Sequence, residues 1–437
     1  MRVAMVSLGC KTNQYEMDAL AEALRARNFE IVSPDDQADI YILNTCTVTA
    51  EAERKSRQLL RRFRRQNAES LLVACGCYSQ REDLTSLADI TIGTGLRDQL
   101  PDLISEAVAR GGAVNIAAIR PASSWCSYEE LGAPAIPQET RAFLKIQDGC
   151  DNRCAYCAIC LARGPARSRE IDNIVSEAEE LVGRGYSEIV LTGTNINAYG
   201  VDFEHTAGCR DLASTLEALD RIEGIQRIRL GSLESATITS EFVLRIEKLH
   251  HLCPSFHLSL QSGSDRILKA MCRRDTKAEY RQAVHLLREA FPNAGITTDL
   301  IVGFPGETRA DFLETLDFCD DIGFLRIHVF RFSRRPGTQA TSMQDQVEKA
   351  VSIHRSRILR EKATELALRA IHERMGETRQ VLVERFDSQG RAEGYTPEYI
   401  YVKGSQGSGG ESLPRRGDIR LMRIRGVEGE TAIAEIV

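Results

Sequence analysis

The N-terminal part of the chain alternates short apolar runs with amphipathic segments at helical spacing. The runs Val3–Leu8, Ile40–Asn44 and Ser70–Ala74 predict strands, and Glu16–Arg27 and Glu51–Gln66 predict helices. Strands that alternate with helices are typical of a parallel sheet. Residues 1–110 are therefore predicted to form an α/β domain.

The alternation restarts after a stretch of different composition. Residues 111–140 are rich in Gly, Pro, Ala and Ser, which predicts a linker. Over residues 141–370, six apolar runs predict strands separated by helices: Phe143–Ile146, Glu188–Leu191, Arg227–Leu230, Phe256–Leu260, Thr297–Val302 and Arg326–Phe330. Six βα units predict a partial (β/α)6 barrel, whose chemistry is expected at the carboxyl ends of its strands.

The end of the chain has the pattern of a small β-barrel. Val347–Arg374 predicts one long helix, and short β-prone runs separated by glycine-rich turns follow within residues 371–437. Closely spaced short strands with glycine turns are typical of small closed barrels. The predicted fold class is α/β, with a parallel-sheet domain, a partial barrel and a small β-barrel.

Composition and charge exclude some classes of protein. A hydrophobic fraction of 43% is enough for packed cores, and a net charge of −6 does not by itself indicate a nucleic-acid binder. No apolar run approaches the roughly 18 residues of a membrane span. The first residues have the pattern of a buried strand rather than a signal peptide. A cytoplasmic protein with no membrane partner is therefore predicted.

Thirteen cysteines are many for a cytoplasmic chain. Disulfides are rare in that compartment, and metal binding or catalysis is the more common use of the thiols. Five of them are predicted to be packed or loop thiols without a metal role: Cys126, Cys209, Cys253, Cys272 and Cys319.

The strongest chemical signal is the spacing Cys150-x-x-x-Cys154-x-x-Cys157, directly after a predicted strand. Three thiolates can hold a four-iron, four-sulfur (4Fe–4S) cluster and leave one iron open, as a catalytic metal site requires. The alternative is a structural zinc loop, although zinc favours paired CxxC units. Cys160 could close the open iron, but we predict that it is a packed thiol.

A second set of cysteines is dispersed along the N-terminal part. Cys10, Cys46 and Cys77 each follow a predicted parallel strand, so they are expected to converge at one edge of the sheet. These three cysteines could hold a second cluster. The alternative is that their positions after three strands are a coincidence. Cys75 lies beside Cys77, and the pattern alone does not select between the two.

Polar residues and glycines follow other predicted strands of the barrel. They are Gly193, Thr194, Asn195, Glu234, Gln261, Ser262, Gly303, Pro305 and Gly306. At strand ends such residues can hold a nucleoside or amino-acid ligand. They are equally typical of helix caps and tight turns, and Glu234 could simply face solvent.

Two basic regions could bind RNA. The helix Glu51–Gln66 carries Arg54, Lys55, Arg57, Arg61, Arg62, Arg64 and Arg65. The final segment carries Arg415, Arg416, Arg420, Arg423 and Arg425, with Tyr395, Tyr399 and Tyr401 for base stacking. Dense arginine and lysine suit phosphate contacts, and aromatic side chains suit unstacked bases. A solvated helix face is the alternative for the first region.

With these residues in view, the whole chain resembles the methylthiotransferase family of radical S-adenosylmethionine (SAM) enzymes. The stretches SLGCKTNQYE, NTCTVT and GCYSQ resemble its three auxiliary-cluster motifs, which selects Cys77 over Cys75. CDNRCAYC matches its radical SAM loop, although Cys160–Leu161 stand where the family usually has Pro–Tyr. LTGTNINAYG, LQSGSD, TTDLIVGFPGET and HVFRFSRRPGT match its barrel motifs, and residues 371–437 resemble an RNA-binding TRAM domain.

The resemblance implies two 4Fe–4S clusters and SAM used twice. One cluster would be held by Cys10, Cys46 and Cys77, and the other, by Cys150, Cys154 and Cys157, would chelate SAM. One SAM would methylate sulfur at the auxiliary cluster, and the other would yield the radical that opens C2–H of an adenine. Tyr156 and the strand-end residues are the expected SAM contacts. The implied partners are tRNA, an electron donor such as flavodoxin or ferredoxin, and a sulfur source.

Within the family, LGCKTNQYE and ARGPARSR look like the MtaB-type branch, which acts on N6-threonylcarbamoyladenosine beside the anticodon of tRNA. Arg163, Arg167 and Arg169 are predicted to face the site, where one could bind the threonyl carboxylate. They could instead bind SAM or phosphate. The alternative functions are methylthiolation of isopentenyladenosine or of a ribosomal protein, a radical SAM methyltransferase, and an RNA-binding iron–sulfur sensor.

Overall fold

The computed structural model describes residues 1–111, 114–133, 140–203, 210–405 and 414–437. Cys209 and residues 112–113 and 134–139 of the predicted linker lie outside the described residues. Among the residues described, no helix is long and apolar enough to cross a membrane.

The first part of the chain is a six-stranded parallel sheet, in the order β2-β1-β3-β4-β5-β6. Its elements are β1 (Arg2–Ser7), α1 (Lys11–Arg25), β2 (Glu30–Val32), β3 (Ile40–Thr45), α2 (Ala50–Gln66), β4 (Leu71–Gly76), β5 (Ile90–Ile92), α3 (Leu100–Ala109) and β6 (Ile116–Ala118). The predicted strands and helices are confirmed. The short strands β2, β5 and β6 were not predicted, and β6 lies in the segment predicted as a linker.

Both faces of this sheet are covered, because its strands are apolar on both sides. On one face Val3 and Ile42 pack with residues of α1 and α3. On the other, Tyr41 stacks on Phe63 of α2, with ring centroids 4.7 Å apart. The carboxyl ends of the strands therefore remain the accessible edge.

The central part of the chain continues as alternating strands and helices. Its elements are β7 (Arg141–Asp148), α4 (Ile159–Arg163), β8 (Arg167–Ser168), α5 (Ile171–Gly183), β9 (Glu188–Gly193), α6 (Leu212–Asp220), β10 (Arg227–Arg229), β11 (Ser232–Leu233), α7 (Ser240–Ile246), β12 (Ser255–Leu258), α8 (Asp265–Ala270), α9 (Lys277–Ala290), β13 (Gly295–Val302), α10 (Arg309–Ile322), β14 (Arg326–Arg331), α11 (Gln339–Ser342) and α12 (Lys349–His372). All six predicted strands and the long helix α12 are confirmed.

The strands form two sheets, ordered β10-β9-β7-β8 and β11-β12-β13-β14. Between them, Ile228 of β10 forms an isolated parallel bridge with Leu252, in the segment that precedes β12, and Ile228 N donates to His251 O at 2.7 Å. The two sheets thus make a curved partial barrel with a seam beside β10. Its outward side chains are apolar and packed under the helices, whereas alternate residues such as Glu188 and His257 make the interior polar.

The last part is a closed five-stranded barrel in the order β15-β16-β17-β19-β18, as predicted. Its strands are β15 (Thr378–Phe386), β16 (Ala392–Tyr395), β17 (Tyr401–Ser405), β18 (Ile419–Glu428) and β19 (Thr431–Ile436). The turn between β16 and β17 closes the amino ends of the partial barrel, since Arg229 Nη1 donates to Pro397 O at 2.8 Å and Arg227 Nη1 donates to Tyr395 O at 3.0 Å.

The cysteines predicted to lack a metal role divide by environment. Cys253 and Cys319 are buried and Cys126 is exposed. The expectation of a packed thiol is wrong for Cys272, which is exposed and adopts a left-handed conformation (φ 56°) at the end of α8. The apolar pattern of α8 does not extend to it, because the chain turns there.

Candidate functional site

Three thiols converge in the loop that follows β7. Cys150, Cys154 and Cys157 are half-buried, and the charge of each would act on at least one of the others. Burial raises the pKa of Cys150 to about 11 and that of Cys157 to about 12. A thiol with a raised pKa keeps its proton until a metal ion replaces it. The loop therefore has the donor set of a metal centre with three thiolates.

Side chains from other strand ends surround this loop. Asn195 Nδ2 donates to Cys150 Sγ at 3.5 Å. Burial raises the pKa of Cys154, and the nearby Arg273 and Tyr156 partly offset that rise. Arg273 Nη1 also donates to Glu234 Oε1 at 2.9 Å, so Glu234 belongs to the same group and is not a solvated carboxylate. Arg273 was not predicted, because it lies outside every spaced motif.

The remaining strand-end residues take different positions. Thr194 Oγ1 donates to Asp148 Oδ1 at 2.8 Å. Gln261 follows β12, almost buried and in a left-handed conformation (φ 74°), and the adjacent Ser262 is buried. A non-glycine residue at such φ is strained, and strain of this kind clusters at functional sites.

The glycine-rich turn after β13 has a packing role as well. Gly303 has φ 76°, and a Cβ there would lie 2.7 Å from the Cβ of Ser352 on α12. Gly306 has φ 79° with no atom close to its absent side chain, and the buried Glu307 accepts from Gly303 N at 2.7 Å. This arrangement accounts for Gly303 as a tight turn under α12. Gly193 and Pro305 lie at the same edge, and a Cβ on Gly193 would come within 2.8 Å of Ile196.

A second group of three thiols lies at the edge of the N-terminal sheet. Cys10 precedes α1, Cys46 follows β3 and Cys77 follows β4. Burial raises the pKa of Cys46 to about 12, and the charges of Cys77 and Cys10 act in the same direction. A Cβ on Gly9 (φ 109°) would lie 2.8 Å from Cys46 Sγ, so only glycine fits beside this group.

Two further cysteines lie near these groups. Cys75 is buried in the apolar core beneath the sheet, and its Sγ lies 3.7 Å from the carbonyl oxygen of Leu43. It therefore points into the core, whereas Cys77 lies with Cys10 and Cys46. Cys160 is half-buried on α4, with its Sγ 3.9 Å from the carbonyl oxygen of Cys157.

A buried ionic network connects the two groups of thiols. Arg163 Nε donates to Cys77 Sγ at 3.3 Å, and Arg163 Nη1 donates at 2.8 Å to both Glu16 and Asp148. Asp148 stands two residues before Cys150. Lys145 also donates to Glu16 (2.8 Å) and to Asp148 (2.7 Å). Buried charges require partners of opposite sign, and here the partners come from both parts of the chain.

The charges of this network strongly lower the pKa values of its two carboxyl groups. Burial alone would raise the pKa of Glu16, but Arg163, Arg97 and Lys145 outweigh it and lower the pKa to about 2. The same balance holds the pKa of Asp148 well below its usual value. Both residues are therefore ionised, and the network is held together at neutral pH.

The three arginines predicted to read the substrate all have partners within the protein. Arg163 is buried in the network described above. Arg167 Nη1 donates to the carbonyl oxygens of Arg163 (2.9 Å) and Pro165 (2.8 Å). Arg169 is buried between Glu177 and Glu130, the latter at 2.6 Å. Their predicted contact with a substrate carboxylate stays a prediction, and their geometry assigns them a structural use.

The interior of the partial barrel holds a further polar group that was not predicted. His257 Nε2 lies 3.3 Å from Asp299 Oδ2, and the rings of His257 and His328 are 5.8 Å apart. These residues lie on β12, β13 and β14 at alternating positions. Each is a single histidine or aspartate within an apolar strand, so no spacing in the sequence distinguishes them from satisfied core residues.

The two basic regions are partly neutralised by the protein's own carboxylates. On α2, Arg54, Arg62 and Arg64 pair with Glu51, Asp35 and Asp89 at 2.5, 2.6 and 2.7 Å. Lys55, Arg61 and Arg65 keep no such partner among the described residues. Tyr395 and Tyr399 stack on each other, 4.4 Å apart, and under Arg141, so they secure the small barrel against β7.

A partial (β/α) barrel with three convergent thiols after its first strand defines the radical SAM class of enzymes. Residues 144–319 match the radical SAM superfamily, and residues 2–92 match a family described as uncharacterized protein family UPF0004. Among solved structures, the radical SAM methyltransferase TsrM from Kitasatospora setae, with cobalamin and a 4Fe–4S cluster bound, aligns with a TM-score of 0.56. That alignment covers 78% of this chain and 77% of TsrM at 16% identity, which shows the fold alone.

Relatives that match this chain over most of their length identify the family within the radical SAM class. The threonylcarbamoyladenosine tRNA methylthiotransferase MtaB of Bacillus subtilis is 37% identical over 92% of this chain and 89% of its own length. MtaB of Thermotoga maritima is 37% identical over 91% and 90%. The tRNA-2-methylthio-N(6)-dimethylallyladenosine synthase of Pelotomaculum thermopropionicum is 35% identical over 87% and 86%. The chain belongs to the tRNA methylthiotransferase family of radical SAM enzymes, and it is an enzyme that uses SAM and 4Fe–4S chemistry.

Proposed function

We propose that this enzyme converts N6-threonylcarbamoyladenosine beside the anticodon of tRNA to its 2-methylthio derivative. The observation that carries the proposal is the second group of thiols, Cys10, Cys46 and Cys77, linked through Arg163 to the thiol loop after β7. A radical SAM methyltransferase has no need of this second group. The MtaB relatives then favour the threonylcarbamoyl substrate.

The residues at each group of thiols fit a 4Fe–4S cluster held by three cysteines. Thiolate is the usual ligand of such clusters, and the thiols of each group are close enough for their charges to interact. We assign Cys150, Cys154 and Cys157 to one cluster and Cys10, Cys46 and Cys77 to the other. When bound, the clusters and SAM supply the sulfur and the radical that opens the unactivated C2–H bond.

The chain's own contribution is to position and enclose the reactants. Asn195 orients Cys150 by a hydrogen bond, and Arg273 and Tyr156 act electrostatically on Cys154. They are the proposed SAM contacts, together with Glu234 and the strand-end residues Gly193, Thr194, Gln261, Ser262, Gly303, Pro305 and Gly306. The Arg163 network ties the second group of thiols to Asp148, two residues before the first group, and we propose that one base reaches both. The small barrel closes the opposite end of the interior, and exclusion of water protects a reactive intermediate.

Contact with tRNA is assigned to the unpaired cations of α2 and of the small barrel. Lys55, Arg61 and Arg65 have no carboxylate partner among the described residues, and neither have the exposed Arg415 and Arg423. Phosphate contacts of this kind give affinity without sequence specificity. A base beside the anticodon lies in a loop, where it can leave its stack and enter a site.

The reaction also needs components that the chain does not contain. We propose a small reduced electron carrier, such as flavodoxin or ferredoxin, and a source of sulfide. The cytoplasm, where tRNA is modified, is the proposed compartment.

The test offers the reduced enzyme two purified tRNAs, one threonylcarbamoylated and one isopentenylated, with mass spectrometry of the digested nucleosides as the readout. We expect 2-methylthio product from the threonylcarbamoylated tRNA. Product only from the isopentenylated tRNA would reassign the enzyme to the branch of the dimethylallyladenosine relatives. Methylated product without sulfur would instead indicate a methyltransferase.

A further inference from the structure

The segment that follows β14 carries a motif to which the proposed function gives no role. It has the sequence SRRPGT over residues 333–338, and its second arginine, Arg335, is buried between two exposed neighbours. A guanidinium in such a position requires carboxylates or other hydrogen-bond acceptors around it, because an unpaired charge is costly to bury. The contacts of Arg335 therefore indicate what this segment does.

The charged partner of Arg335 comes from the N-terminal part of the chain. Arg335 Nη1 lies 2.8 Å from Glu53 Oε1 on α2, and the side chain of Glu53 is only 14% exposed. The same carboxylate oxygen accepts a hydrogen bond from Thr47 Oγ1 at 2.7 Å, and Thr47 directly follows Cys46. The segment after β14 is thus tied to a position beside one member of the second group of thiols.

Further hydrogen bonds join the same two parts of the chain. Ala50 N donates to Ser333 Oγ at 3.2 Å. Arg81 donates to Thr47 Oγ1 at 3.2 Å through Nη1, and to the carbonyl oxygen of Pro336 through Nη2. The contact is therefore a polar interface with several members, in which the buried ion pair is one part.

The other end of the segment contacts the loop that carries the first group of thiols. Ala340 N donates at 2.8 Å to the carbonyl oxygen of Ala155 in that loop. Thr338 Oγ1 and Thr341 Oγ1 both donate to the carbonyl oxygen of Arg335, at 2.8 and 2.6 Å, and so fix the turn between the two contacts. One short segment therefore connects the surroundings of both groups of thiols, independently of the Arg163 network.

The two connections lie on opposite sides of the opening of the partial barrel. Its wall runs β8-β7-β9-β10 and then β11-β12-β13-β14, so it ends at β8 on one side and at β14 on the other. The Arg163 network reaches Asp148 at the end of β7, beside β8, whereas the Arg335 contact follows β14. The N-terminal sheet therefore bridges the opening, with Cys77 beside one connection and Cys46 beside the other.

We propose that Arg335 and Glu53 are positioning residues, which hold the second group of thiols across the opening in the place that methylthio transfer requires. This inference rests on the proposed function and deepens it, because that reaction needs the radical generated at the first group and the sulfur held at the second to act on one base. A displacement of about 1 Å can slow a reaction about 100-fold even when its cause is remote. Loosening one connection should therefore separate SAM cleavage from sulfur transfer.

The experiment compares the full enzyme with Arg335→Gln, Arg335→Lys and, as a matched control, Arg334→Gln. Arg334 is the exposed neighbour of Arg335, and its Nε donates to Gln346 Oε1 at 3.0 Å within the same part of the chain. With reduced enzyme and modifiable tRNA, the readout is the ratio of deoxyadenosine to methylthio product. An enzyme that is merely less stable loses both products together, so this ratio reports positioning rather than stability.

Arg335→Gln should cleave SAM at close to the wild-type rate and raise this ratio by about 10- to 100-fold. Arg335→Lys keeps the charge and should retain most of the sulfur transfer, and Arg334→Gln should keep the wild-type ratio. Glu53→Gln tests the same contact from the N-terminal side and should also raise the ratio. An unchanged ratio in Arg335→Gln, or an equal rise in Arg334→Gln, would overturn the inference.

A buried arginine can also be needed for folding, so iron analysis and thermal unfolding accompany each variant. If Arg335→Gln is not recovered with both clusters, an unchanged ratio in Glu53→Gln overturns the inference. Loss of the second cluster from both variants overturns it as well, since the pair would then maintain that cluster rather than its position. A wild type that forms no methylthio product from either tRNA contradicts the proposed function instead, so the two failures are distinguishable.

Discussion

The two groups of thiols are built in opposite ways. Cys150, Cys154 and Cys157 come from one loop after one strand, so their convergence depends on local spacing. Cys10, Cys46 and Cys77 come from three strands of a sheet, so their convergence depends on parallel pairing of β1, β3 and β4. The first group can be recognised in any sequence, whereas the second exists only once the sheet has formed.

Their surroundings differ in a corresponding way. The loop cysteines receive hydrogen bonds from neighbouring strand ends, such as that of Asn195. The sheet cysteines include Cys77, which contacts the fully buried guanidinium of Arg163. A charge buried so deeply has to be paired on every side, so the second group is more sensitive to a single distant substitution.

Removal of either group of thiols should have the largest effect, with a different signature in each case. Reconstituted enzyme should hold about eight irons, and either triple Cys→Ala variant about four. Without Cys150, Cys154 and Cys157, SAM cleavage should be abolished. Without Cys10, Cys46 and Cys77, SAM should still be cleaved to deoxyadenosine, but no methylthio product should form. Full iron content in either variant would refute the corresponding assignment.

Substitution of Arg163 should have the second-largest effect, which is a loss of stability. Arg163→Met leaves Glu16 and Asp148 with fewer partners, which should lower the free energy of unfolding by about 3–5 kcal/mol. Denaturant unfolding of the metal-free protein would measure this. Arg54→Met is the matched control, because Arg54 forms an exposed pair with Glu51, and such pairs contribute at most about 1 kcal/mol. Equal losses in the two variants would show that the network does not link the two groups.

The same network should make the stability of the protein depend on pH. The pKa of Glu16 is lowered to about 2, so its contribution is complete above its ordinary pKa of 4.5 and disappears as the pH falls towards 2. At about 1.4 kcal/mol per pKa unit, ionised Glu16 contributes about 3 kcal/mol to the free energy of unfolding. Unfolding of the metal-free protein between these pH values should show a shallower slope for Glu16→Gln than for the wild type. The exposed control Glu223→Gln should keep the wild-type slope.

Alanine substitution of two glycines should have a smaller effect on stability. Comparing the two variants distinguishes a steric clash at the thiol loop from backbone strain alone. Gly149 and Gly306 both adopt positive φ, 74° and 79°, but only at Gly149 would a Cβ clash, with the carbonyl oxygen of Pro165. Alanine should cost about 1–3 kcal/mol at either position through strain. Gly149→Ala should lose more, and should also lower iron occupancy beside Cys150. Similar melting temperatures for the two variants would argue against the clash.

Substitution of Cys160 should have the smallest effect. A fourth thiolate would close the open iron, and the Cys160 thiol faces the carbonyl oxygen of Cys157 at 3.9 Å. Cys160→Ala should therefore retain SAM cleavage, measured as deoxyadenosine, whereas Cys157→Ala should not. Loss of the cluster in Cys160→Ala would show that this thiol is a ligand.

Much of the fold follows from local patterns along the chain. The alternating runs predicted β1, β3 and β4 and all six main strands of the partial barrel, and periodicity predicted α12. The strands that were missed, such as β2, β5 and β6, have only three residues each. Their formation depends on pairing with neighbouring strands of the sheet rather than on their own pattern, which is why β6 was placed in a linker.

Spacing alone also determined the loop Cys150–Cys157, because residues three or four apart in one loop must be neighbours in any fold. It determined the candidate strand-end residues in the same way, since the end of a strand is visible in the sequence. The resemblance to a known family then supplied the substrate class that the comparisons support.

Only the tertiary structure decided which charged residues meet. Arg163 was predicted to face a substrate, yet it pairs with Glu16, 147 residues away, and with Asp148 across the same network. Whether a charge is compensated depends on every element packed around it. That property is absent from any one segment of the sequence and appears only when the parts of the chain assemble.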